Sequence, residues 1–117
     1  MLRKQGYDVL PVSGHSEARA LLDNNVFDLL IADITLPYIA AGFDLIAKTR
    51  QEYDLKNGRI PILAMMVSGD SDFLNKASET GIDDYLKKPF FEEEFILRVK
   101  RLLKDGLRRT SGLSLRR

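Results

Sequence analysis

The sequence predicts an α/β domain built on a doubly wound parallel sheet, and three observations carry that expectation. Two short, wholly apolar runs, Leu29–Ala32 and Ile62–Val67, are each bounded by polar residues or proline. They are too short for buried helices and read as strands covered on both faces. Between and after them, apolar residues recur at helical spacing, as in Phe91, Phe95, Val99, Leu102 and Leu103. Strands that alternate with amphipathic helices specify a parallel sheet with right-handed crossovers.

The chain of 117 residues suffices for one core. Its formal net charge of +1 gives no global attraction to nucleic acid. No apolar run approaches a membrane span, and no apolar segment follows the basic residues of MLRKQGYDVL, so neither membrane nor signal peptide is expected. Cysteine is absent, which excludes disulfides and thiolate metal sites within these residues and fits a cytoplasmic setting.

In chain order, Met1–Gln5 read as a last helical turn closed by Gly6. Tyr7–Val12 suit a strand that Pro11 confines to an edge. Ser16 is the expected N-cap of a helix burying Ala18, Leu21 and Leu22 and ending at Asn24 and Asn25. Asp33 ends the next strand, and a helix from about Phe43 to Tyr53 turns Leu45, Ile46 and Thr49 inward. After the strand Ile62–Val67, Asp70 or Ser71 caps a helix with Phe73, Leu74 and Ala77 buried, stopped by Gly81. Asp84–Lys87 is a short strand followed by Lys88-Pro89, and the last helix covers about Phe91–Lys104. The expected division is a domain over 1–105 and a basic, frayed tail or start of a linker over 106–117.

Three strand ends then bring polar groups to one carboxyl edge: Asp33, the segment Met66–Ser68, and Lys88. Open α/β sheets place functional groups at that edge. A carboxylate beside an ammonium group suits phosphoryl chemistry, the aspartate accepting the group and the lysine pairing with its oxygens. An ordinary salt bridge at a sheet edge accounts for the same positions equally well.

DLLIADITLP, GFDLI, IPILA and ETGIDDYLKKPF, in that order, resemble the receiver domain of bacterial two-component response regulators. The resemblance runs from Leu2 to Leu103 and implies a flavodoxin-like fold. It implies that Asp33 accepts a phosphoryl group from a sensor histidine kinase or phosphotransfer protein, that Lys88 contacts it, and that the bond before Pro89 is cis. It further implies Mg²⁺ held at Asp33 and the Thr35 backbone carbonyl. The domain is then a signalling module and not a turnover enzyme.

Two departures stand out. The family's first strand and its acidic pair have no counterpart ahead of Leu2, so the domain reads as truncated, lacking strand one and most of helix one, and one carboxylate is a poor magnesium site. In addition, Met66 falls where the family carries a switch Ser or Thr, and Ser68 lies two residues on, roughly 6.6 Å along a strand. Tyr85 matches the aromatic residue coupled to that hydroxyl. Both departures favour an alternative, a phosphorylation-independent pseudo-receiver that acts as a protein interaction module. The gap left by strand one leads to three expectations: direct pairing of the Tyr7 and Leu29 strands, a strand taken from a second copy in a homodimer, or a fragment of a longer product.

Other residues have plainer explanations. His15 sits in a turn with no neighbouring nucleophile, Asp83 and Asp84 point to opposite faces of a strand, and Glu92–Glu94 complement a helix dipole. Arg108-Arg109-Thr110-Ser111 reads as solvated tail, with no nucleic acid bound by this domain.

Overall fold

Along Leu29–Asp33 every residue is buried, and the same holds for Ile62–Met66. Two buried clusters divide these strands between them: Leu30, Ala32, Ile62, Ala64 and Met66 belong to one, and Leu29, Ile31, Leu63 and Met65 to the other. That split is the period of two of a strand, with apolar layers on both faces of the sheet.

The computed structural model describes residues 2–34, 39–67, 75, 79–105 and 113–116; of 39–41, 104, 105 and 113–116 it describes the backbone alone. The elements are a 3₁₀ turn at Arg3–Gln5, β1 at Asp8–Pro11, α1 at His15–Asn24, β2 at Leu29–Asp33 and α2 at Ile39–Lys48. A π-helical segment at Thr49–Tyr53 follows, then α3 at Asp54–Asn57, β3 at Ile62–Met66, β4 at Asp84–Lys87, α4 at Glu92–Asp105 and β5 at Leu113–Arg116. Ala18 and Leu22 of α1, with Phe43, Leu45 and Ile46 of α2, cover one face of the sheet, while Phe95 and Val99 of α4, with Leu2, cover the other. Each fully buried large side chain contributes roughly 1.5–3 kcal/mol.

All strand pairs are parallel, in the order β1-β5-β2-β3-β4. β1 is an edge strand, so Pro11 needs no outward partner for the N–H it lacks. The central position expected to be vacant holds β5, with Asp8 to Pro11 opposite Leu113 to Arg116 and Leu29 and Leu30 opposite Ser114 and Leu115. The frayed tail expected after Gly106 is therefore corrected for Leu113–Arg116. β1 does not pair with β2, and no strand from a second copy is needed to complete this sheet. An unpaired buried backbone group costs about 1–3 kcal/mol, which is what β5 relieves along the open side of β2.

Several boundaries also differ. Gly14, not Ser16, is the N-cap of α1. α2 begins four residues earlier than Phe43, and helical structure continues through the π segment to Asn57, where Gly58 at φ 90° closes it and donates to the Asp54 carbonyl. Phe91 precedes α4 and is 78% exposed, so it is not part of the core stripe; Phe90 packs against Phe95 instead, ring centroids 5.5 Å apart. The helix expected over Asp70–Thr80 lies largely outside the described residues.

Candidate functional site

β2 and β4 deliver two charged groups to the carboxyl edge of the sheet. Asp33 is the last residue of β2 and is 1% exposed. Lys88 directly follows β4, and its Nζ donates to Asp33 Oδ2. The carboxylate is wholly enclosed while the lysine side chain keeps about a third of its surface in solvent. Such an enclosed carboxylate requires a compensating charge, which the ammonium group supplies.

Backbone hydrogen bonds hold both groups in place. The Ile34 N–H donates to the Met65 carbonyl at 2.9 Å, and the Lys88 N–H to the Met66 carbonyl at 2.6 Å. Asp33 lies level with Met65, and Met66 with Lys87, so β3 between them sets the height of both. The Lys88-Pro89 peptide bond is cis. Gly42 brings the first turns of α2 against this edge: a Cβ there would lie 2.6 Å from the Ile34 Cα. Only glycine allows that approach one residue beyond Asp33.

Met66 is 1% exposed and packs in the cluster that holds Ala32, Ile34 and Phe43. It contributes a thioether to the core and no hydrogen-bond donor to the edge. Tyr85 lies level with Ala64 on β4 and is 45% exposed. Thr35 and Ser68 lie outside the described residues. Among the described residues no three His, Cys, Asp or Glu side chains converge as metal ligands. Magnesium takes near-octahedral oxygen donors, and a single carboxylate facing an ammonium group does not make that set. The described residues do not fit a magnesium site.

Of the remaining acidic residues, Asp83, Asp84 and Glu94 have structural partners. Asp84 accepts from Arg98 Nη1 at 2.8 Å, joining α4 to β4, and Glu94 accepts from Arg98 Nη2 at 3.4 Å. Burial works to lower the pKa of Arg98, but the hydrogen bonds and charges of Asp84 and Glu94 outweigh it and leave the pKa raised. His15 is the first residue of α1, far from Asp33 in sequence. Asp83 belongs to a network at the opposite edge that the sequence reading missed. The spacing of Arg50 and Asp54, four apart on a helix, was a signal for it.

The model of the response regulator receiver domain matches residues 1–100. The chain belongs to this family. As a receiver domain of two-component signalling, it is 33% identical over 103 residues to the phosphate regulon transcriptional regulatory protein PhoB of Rhizobium meliloti, covering 88% of this chain and 44% of that protein. It is 30% identical over 107 residues to histidine kinase P4 of Formosa agariphila, covering 92% of this chain and 8% of that protein. The chain thus spans less than half the length of these relatives. Among solved structures, the non-phosphorylated HemR receiver domain of Leptospira biflexa is 30% identical, with a TM-score of 0.73 over 92% of this chain and 82% of that one. A response regulator from Thermotoga maritima superposes with a TM-score of 0.77 at 24% identity, over 89% and 82%, a likeness of fold. The receiver domain is a flavodoxin-like α/β fold. No helix among the described residues is long and apolar enough to cross a membrane.

Proposed function

We propose that this receiver domain accepts a phosphoryl group on Asp33 from a sensor histidine kinase or phosphotransfer protein. The observation that carries the reading is the enclosed Asp33 carboxylate paired with Lys88 at the carboxyl edge of the sheet. A carboxylate oxygen of Asp33 attacks the phosphorus of a phosphohistidine. The new O–P bond forms as the N–P bond breaks, and the departing imidazole nitrogen takes up a proton. Lys88 pairs with the non-bridging oxygens, where charge collects during transfer. The Lys88 side chain keeps about a third of its surface in solvent, and its ammonium group sits on a long stem with several rotatable bonds.

Acetyl phosphate supplies the same group without a kinase. The wild-type chain is expected to gain the mass of one phosphoryl group and Asp33→Asn to gain none. Equal labelling of the two would place the acceptor elsewhere. Absence of label on wild type would leave the interaction-module reading, in which the fold serves as a docking surface and Asp33 is inert.

A further inference from the structure

At the amino edge of the sheet, opposite Asp33, the π segment presents Arg50 to the starts of two strands at once. Its Nε and Nη2 both donate to the Gly81 carbonyl, at 3.1 and 2.7 Å, and Nη2 also donates to Asp83 Oδ2 at 2.8 Å. Its Nη1 donates to Asp54 Oδ2 at 2.7 Å and to the Ile60 carbonyl at 2.6 Å. The whole guanidinium fork is thus engaged, and the side chain is 17% exposed. Lysine has neither the donors nor the planar geometry to reproduce this.

Asp83 completes the joint. Its Oδ2 accepts the Ile62 N–H at 2.7 Å, and its own N–H donates to the Ile62 carbonyl at 3.0 Å. Arg59, on the solvent side, donates to the other oxygen. Gly81 has φ +101°, and a Cβ there would lie 3.0 Å from Arg50 Nε. The left-handed turn favours glycine here, and a Cβ would also crowd the guanidinium packed upon it. Arg50 and Asp83 together fasten the beginning of β4 to the beginning of β3.

The far ends of these two strands are Met66 and Lys87, with Lys88 next and its N–H on the Met66 carbonyl. A slip of one residue moves a strand by about 3.3 Å and turns its side chains to the other face. Whatever fixes the start of β4 therefore fixes where Lys88 emerges. We propose that Arg50, acting with Asp83, is a positioning residue that sets the register of β4 on β3 and thereby the place of Lys88 beside Asp33. The functional part of this inference rests on the phosphoacceptor reading of Asp33; the structural part does not.

Two readouts separate the parts. Arg50→Lys, Arg50→Gln and Asp83→Asn are compared with Arg59→Gln, a control that touches the same carboxylate from solvent. Circular dichroism first establishes the temperature at which each chain is folded. Below it, amide hydrogen exchange at Lys88 is expected to quicken in the Arg50 and Asp83 variants but not in Arg59→Gln, while protection in α1 is retained. Acetyl phosphate labelling of Asp33 is expected to slow by about tenfold to a hundredfold in the same variants. Unchanged exchange at Lys88 in folded Arg50→Lys and Asp83→Asn would overturn the positioning role. Faster exchange with an unchanged labelling rate would overturn its bearing on the site. A wild-type chain that takes no label would count against the Asp33 reading alone, leaving the register claim to be decided by exchange. If Arg50→Gln fails to fold, Arg50→Lys and Asp83→Asn still decide it.

Discussion

Leu30 of β2 lies in parallel register with Leu115 of β5, so the final strand of the chain runs through the middle of the sheet. β1 joins the sheet only through that strand among the described residues. The sheet is continuous from β1 to β4 because Leu113–Arg116 occupies the place between β1 and β2.

That placement is directly testable because the chain has no cysteine of its own. Val9 and Ser114 are register partners. Neighbouring strands lie about 4.8 Å apart, inside the Cα separation a disulfide spans. The double variant Val9→Cys/Ser114→Cys is expected to form an intrachain disulfide on mild oxidation, seen as a monomer with no free thiol. Two free thiols, or a cross-linked dimer, would remove β5 from this position within one chain.

Gly42 is predicted to be intolerant of even one methyl group. A Cβ would meet the Ile34 Cα at 2.6 Å, and backbone cannot give way as a flexible side chain can. Gly42→Ala should lower stability by about 1–3 kcal/mol, read as a reduced urea midpoint at unchanged slope. Alanine raises helix propensity at exposed sites, so a stabilised variant would show that α2 does not pack here as described.

Tyr53 tests the joint between the π segment and β2. Its hydroxyl accepts the Phe27 N–H at 2.7 Å and donates to the Phe27 carbonyl at 3.1 Å, with Tyr53 3% exposed. Tyr53→Phe keeps the ring and leaves both backbone groups unpaired. The expected loss is about 1–3 kcal/mol by chemical denaturation. A neutral result would mean that water reaches Phe27.

The elements legible in the sequence are those whose signal is local. Leu29–Ala32, and Ile62–Val67 as far as Met66, are apolar because both of their faces are covered; Val67 lies past the strand and is 56% exposed. Gly6 and Pro11 mark a helix cap and an edge by their own backbone chemistry. The meeting of Asp33 with Lys88 was legible from their places at two strand ends. β5 was not, because LSLR is short, alternates apolar with polar and lies among arginines; nothing local marks it as central. Its place depends on an open strand side 85 residues earlier, Leu29 standing opposite Ser114. Phe91 was misread for a similar reason: Phe90 and Phe91 are equally apolar, and the approach of the chain to α4, not composition, decides which one packs on Phe95.

The central claim is that Asp33 and Lys88 together receive a phosphoryl group. Beryllofluoride, a mimic of that group, followed by fluorine NMR, tests the claim most directly. A bound signal is expected for the wild-type chain, lost in Asp33→Asn and weakened in Lys88→Ala. A bound signal that survives in Asp33→Asn, or its absence from the folded wild-type chain, would contradict the account.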